Sequence, residues 1–195
     1  MTFADRGSLS GDTLYAARGV WRLIRNDIRW SDDFELSGLG LIRSFFAQVV
    51  RLPFVVVFVL LVSRSTGAST SWPFVALACT FDLLGAMAYL LVAMITIRLL
   101  RLPGALGFVI LNNWADLVFA IAAGVLCGMA HFVDPSLKAF RLFWFAIVVP
   151  LEIFFVWRAA RAALGADISA AVLLVVLNVG IDVAADQLSA VVSIG

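Results

Sequence analysis

Apolar residues in this chain fall in long runs, broken by a few polar residues, rather than at alternating positions. Five runs stand out, at about 42–63, 73–97, 104–129, 139–157 and 168–190. Each is long enough to cross a hydrocarbon core about 30 Å thick as a helix, which takes about 20 residues. Helix is the form open to such runs, because backbone groups in lipid must be satisfied within the segment. The pattern predicts an all-α fold, an integral membrane bundle of five transmembrane helices occupying residues 42–195. The polar stretches between runs (64–72, 98–103, 131–138 and 158–167) leave no room for an inserted soluble domain.

Residues 1–41 follow a different pattern. Leu14, Ala17, Trp21, Ile24 and Ile28 recur at helical spacing, while Arg18, Arg22, Arg25 and Arg29 form a second stripe. Asp12 is a candidate N-cap, and Ser31-Asp32-Asp33 is expected to end the helix. A basic amphipathic helix with tryptophan on its apolar side suits the headgroup layer, lying on the membrane or packed under the bundle. The other reading is a docking helix for a cytosolic partner. Met1 to Arg6 has no apolar core, so no cleaved signal peptide is expected.

Composition sharpens the class. The chain is 63% apolar and 14% charged with a mean hydropathy of +1.05, against about 45–50% and about 25% in soluble domains. Disorder, a disulfide scaffold and a water-soluble enzyme are excluded. Cys79 and Cys127 lie inside apolar runs without CxxC spacing and read as small buried hydrophobes. A net charge of +1 provides no basic field, so nucleic acid is not an expected partner.

The location of charge says more than its sum. Of 14 basic residues, ten (Arg6, Arg18, Arg22, Arg25, Arg29, Arg43, Arg98, Arg101, Arg158 and Arg161) fall on one side of the five-span topology. Only Arg64, Lys138 and Arg141 fall on the other, and Arg51 lies inside a span. The positive-inside rule then expects a bacterial-type inner (plasma) membrane protein with its N-terminus cytoplasmic and its C-terminus outside.

Ionisable groups within spans are expensive, about 2.5–3.5 kcal/mol each at a helix centre, and should face protein. Arg51, Asp82 and Asp116 sit near the middle of the first three spans, so Arg51–Asp82 or Arg51–Asp116 pairing is feasible. Gln48, Asn112 and Asn178 are candidate hydrogen-bonding neighbours. Glu152 and Asp182 bring the deep acids to four against one deep arginine. The cluster reads either as structural glue or as an ion or proton site. On the third span Asn112, Asp116, Ala120, Gly124 and Gly128 follow at i+4 spacing, and the small residues suggest a helix-packing face. Asn178, Asp182 and Asp186 share a face of the fifth. The fourth span, with Phe140, Phe143, Trp144, Phe145, Phe154, Phe155 and Trp157, is bulky on several sides. It suits contact with lipid or with another membrane subunit.

His131 is the sole histidine, and no phosphate loop, Gly-x-Ser-x-Gly or His-Glu-x-x-His pattern occurs. No catalytic residues, metal or cofactor are expected, and the chain is not expected to be an enzyme.

The stretch from Trp157 to Ala171 (Trp157-Arg158-Ala159-Ala160-Arg161-Ala162-Ala163-Leu164-Gly165-Ala166-Asp167) is a basic, small-residue turn ending in Leu-Gly before a polar helix start. Together with five spans and a cytoplasmic tail, it resembles the Yip (Ypt-interacting-protein) domain family in its short bacterial form. The tail has Asp33-Phe34-Glu35-Leu36-Ser37 where eukaryotic members carry Asp-Leu-Tyr-Gly-Pro, so GTPase binding is not implied. The resemblance implies a non-enzymatic five-helix membrane module. Two functions are consistent with these features. The first is a scaffold or accessory subunit bound to the bilayer and to other membrane subunits or itself. The second is a small transporter or ion- or proton-conducting protein using the buried polar cluster.

Overall fold

The computed structural model describes residues 9–192, apart from the side chains of Leu9, Asp186 and 189–192. Arg6 and the Asp186 side chain, both named above, lie outside the described residues. Helix α1 spans Leu9–Ile24, and a 3-10 turn follows at Ile28–Asp33. The long helices are α2 (Gly38–Thr66), α3 (Trp72–Leu99), α4 (Ala105–Val133), α5 (Lys138–Ala163) and α6 (Ile168–Val192). There is no strand among the described residues. All five long helices are long and apolar enough to cross a membrane.

Their ends follow local chemistry. Ser37 caps α2 by accepting from Gly40 N at 3.1 Å. Pro73 opens α3 at a position where its missing N–H removes no helical bond. Gly67 ends α2 and Gly104 precedes α4, both with positive φ.

Packing places the five long helices in a ring. Helix α4 lies against α2, α2 also against α3, α3 against α6, α6 against α5, and α5 returns to α4. Chain order is thus not ring order, since α6 sits between α3 and α5. The ring surrounds an interior space, and its outer faces are apolar, with Val57, Leu84, Leu91, Ile95, Val172 and Val176 exposed. A soluble monomer rarely exposes apolar patches beyond a few hundred Å², whereas a lipid-facing surface requires them.

Beneath one end of the ring, α1 packs on α4 and α5. It does so chiefly through Ala16, Val20 and Leu23, all buried, and the expected apolar stripe joins that core at Ile24, which is partly buried. Leu14 and Trp21 from that stripe are 59% and 57% exposed. The helix stops at Ile24 rather than continuing to Ser31. Asn26 takes φ 62°, and Asp27 N donates to Arg22 O at 2.9 Å, a left-handed C-terminal cap that turns the chain. Ile28 therefore belongs to the next element.

Arg158 at the end of α5 closes this arrangement. Its Nε donates to Leu23 O at 3.4 Å, and its Nη2 donates to the Asn26 side chain. A cation at a helix C-terminus complements the helix dipole. Arg158→Ala is expected to loosen α1 by about 1 kcal/mol without unfolding the ring. Hydrogen exchange would show this as faster exchange confined to residues 16–27, and unchanged rates there would contradict it.

Candidate functional site

The interior of the ring is a cavity of about 650 Å³. Seven of the polar residues singled out from the sequence line it, namely Arg51, Asp82, Asn112, Asp116, Glu152, Asn178 and Asp182. They come from all five long helices.

On α2, Ser44, Gln48 and Arg51 project toward α3 and α4. Arg51 is buried, and its Nη2 forms an ion pair with Asp82 Oδ2 of α3 and reaches the Asp82 carbonyl at 3.4 Å. Of the two pairings open to Arg51, the fold realises this one, while Asp116 stays within its electrostatic reach. Asp116 instead accepts from Gln48 Nε2 at 2.8 Å. The same Nε2 reaches Asn113 Oδ1 at 3.0 Å, and Asn113 Nδ2 donates to Ser44 Oγ at 3.0 Å. A buried polar ladder thus joins α2 to α4, which run in the same direction.

Asn112 had been expected to hydrogen-bond across helices. Its Nδ2 donates to Phe108 O of its own helix at 2.8 Å, while its side chain borders the cavity. Ala120 faces the cavity too. At Gly124 α2 and α4 approach closely, since a Cβ there would lie 3.2 Å from Phe54 Cβ and Phe54 O. Gly128 has open space where a Cβ would be. The small-residue stripe thus serves contact at Gly124 and cavity lining below it.

Glu152 owes its position to an irregularity in α5. Pro150 has no N–H to give to the carbonyl four residues earlier, and its ring crowds that carbonyl. The helix responds with a π-helical stretch, Trp144–Val148, in which Val149 N donates to Trp144 O. One extra residue rotates one part of the helix against the other by about 100°. Glu152 then faces Asp116 and Asp182, both within electrostatic reach.

The wall toward the α4–α5 connection is aromatic. Phe58 lies 5.3 Å from Trp144 and 6.3 Å from Phe140, and Phe140 lies 5.8 Å from Trp144, between ring centroids. Phe119 and Phe155 make an edge-to-face pair at 5.9 Å on another side. Arg141 borders the cavity at the aromatic end. Four carboxyl groups therefore face two arginines around one space. The carboxyls are distributed along the walls: among the described residues, no three His, Cys, Asp or Glu side chains converge as they would around a metal ion.

Sequence reasoning missed Tyr89, Asn113 and Ser44 as site residues. Tyr89 lines the cavity, and its buried Oη has no hydrogen-bond partner. The i, i+4, i+7 spacing of Ser44, Gln48 and Arg51 was a usable signal for the ladder. Tyr89 gave none, since a tyrosine on an apolar helix reads as core.

The α1 residues expected at the membrane surface have divided roles. Arg18 and Arg22 both pair with the buried Asp33, the latter at 2.8 Å. Arg29 donates to Asp27 from its main chain at 3.0 Å and from its side chain at 3.3 and 3.2 Å, which holds the Asp27 carboxyl below its ordinary value. Arg25 and Trp21 are exposed.

No protein-family model, curated protein or solved structure matches this chain.

Proposed function

We propose that the chain is a small, non-enzymatic, multi-pass membrane protein that moves cations, protons included, through its acid-lined cavity. The observation that carries this reading is the cavity itself. Four carboxyls from four helices surround one space, with Arg51 the arginine deep among them. Structural glue would bring polar partners together and close the gap between helices. Here the Gln48–Asn113–Ser44 ladder and the Arg51–Asp82 pair bring partners together, yet Asp82, Asp116, Glu152 and Asp182 all border open volume as well. In this proposal the membrane is a bacterial-type inner membrane with the N-terminus cytoplasmic and the C-terminus outside. The bilayer is the partner, the exposed Trp21 and Arg25 rest at its cytoplasmic face, and neither nucleic acid nor a cofactor takes part. The Yip-like topology is kept as a resemblance of architecture, without GTPase binding.

The test is flux in reconstituted vesicles under an imposed pH or cation gradient. Wild-type protein is expected to dissipate the gradient. Asp116→Asn, which keeps the side chain's shape, is expected to cut the rate at least tenfold while eluting as a folded species. Flux no greater than that of empty vesicles, in both proteins, would remove the proposal.

A second reading, scaffold or accessory subunit, draws on one observation. Helix α4 runs 29 residues, about 43 Å at about 1.5 Å per residue, longer than a hydrocarbon core of about 30 Å. Its last residues, Phe132 and Val133, are 91% and 88% exposed. A partner covering that tip would appear as a stable complex on size measurement after mild solubilisation.

A further inference from the structure

We infer that the cavity takes an amphipathic organic cation, an amine or quaternary onium centre carried on an aromatic or aliphatic body. The inference rests on the proposed cation-handling role and names the ligand class for the same site. Volume is the first argument. A proton needs no chamber, and a desolvated inorganic ion needs no more than the volume of a water molecule, about 30 Å³. The space here is about 650 Å³, within the range of about 300–1,000 Å³ typical of organic-ligand pockets.

The lining is the second. Asp116, Glu152 and Asp182 occupy one part of the wall, whereas Phe58, Phe140 and Trp144 form an aromatic cluster on another. Aromatic faces attract cations through the ring quadrupole, and they also accept an apolar body. Carboxylates attract the charge but contribute nothing to an apolar body. A wall with both parts matches a ligand with both parts. The dispersed carboxyls point the same way: a bare divalent ion needs several oxygens at one point, which the described residues do not offer.

The third argument starts from a group other than the acids. Tyr89 is 96% buried, borders the cavity, and its Oη finds no partner in the protein. A buried hydroxyl without a partner is costly. It lies within electrostatic reach of Asp116 and Asp182, so a ligand N–H group or its accompanying water held by those acids supplies the bond. Arg51 does not compete for that position, since its guanidinium is held by Asp82. Arg141 stands at the aromatic end, away from Arg51, and donates to Ser136 O at 3.5 Å.

The test uses the full chain in lipid nanodiscs, with tetraphenylphosphonium as the cationic probe and triphenylphosphine oxide as a neutral relative. Saturable tetraphenylphosphonium binding is expected, without competition by the neutral compound. Glu152→Gln and Asp116→Asn should each weaken it at least about tenfold, and Trp144→Ala about fivefold. Elution profiles establish that each variant is folded, and two separate acid variants guard against one failing to fold. Binding that the neutral relative matches, or that neither acid variant weakens, would reduce the site to an apolar hollow and overturn the inference. Absence of binding together with Asp116-dependent proton or sodium flux would overturn the ligand class and leave the transport proposal standing. Absence of both would remove the two together.

Discussion

Arg51→Leu should lower stability by roughly 2–4 kcal/mol, while Arg51→Leu combined with Asp82→Leu should restore most of that loss. Breaking a buried ion pair from one side leaves a charge with no compensation, typically at about 3–5 kcal/mol. The figure here is smaller because Asp82 keeps 38% of its side chain open to the cavity, whereas Arg51 keeps 8%. Removing both charges removes the desolvation penalty along with the attraction, so the doubly apolar variant packs α2 on α3 without a lone carboxylate. Thermal unfolding of the single and double variants in mild detergent is the measurement. Equal destabilisation in single and double variants would mean that packing around Arg51, not its charge, holds α2 to α3. The double variant also separates structure from transport. If the pair only holds helices together, flux through Asp116 survives in it.

Gly104→Ala is expected to be worse than its size suggests, at about 2–5 kcal/mol. Its φ of 78° lies in the left-handed region, which costs a residue with a Cβ about 1–2 kcal/mol. That Cβ would also sit 2.0 Å from Ala163 O and 3.1 Å from Ala163 C, both backbone atoms at the end of α5. Backbone cannot rotate away as a side chain does, so the α3–α4 turn must lift off α5, adding an overpacking cost of about 1–3 kcal/mol. Gly67→Ala is the control. Its φ is 72°, and nothing lies within 4 Å of the added Cβ, so only the left-handed penalty of about 1–2 kcal/mol applies. Unfolding midpoints for the two variants should differ clearly. Similar midpoints would show that the Gly104–Ala163 approach carries no strain.

The five runs of apolar residues foretold the long helices, and their expected bounds differ from the observed ones by at most six residues, at the end of α5. Those ends lie in turns and caps, where Ser37, Pro73 and Gly104 decide the first turn of α2, α3 and α4. Arg51 and Asp82 were recognisable as a pair because two opposite charges at similar depth must find each other or neutralise. The α1 helix was legible as amphipathic, but its buried face was not. Ala16, Val20 and Leu23 are no more apolar than Leu14 and Trp21, and the choice between two apolar faces belongs to what lies above the helix. Arg158 looked like one more positive residue at a cytoplasmic turn. Its contact with Leu23 and Asn26 spans 132–135 residues of chain, a distance over which local patterns are silent.

The sequence alone determined the class of this protein. The free-energy cost of unsatisfied backbone and of charge in hydrocarbon forces helix wherever apolar runs are long, and forces each deep polar group toward protein. Those two rules act residue by residue, so they can be applied without knowing any neighbour. Ring order, the cavity and its two-part wall were decided by tertiary structure. Placing α6 between α3 and α5 sets Asp182 across from Asp116, and the π-helical stretch at Pro150 sets Glu152 beside them. The helix order depends on which faces fit together, a sum over many small contacts between residues far apart in the chain; Pro150 breaks its helix locally, but which neighbours Glu152 then meets depends on that same order.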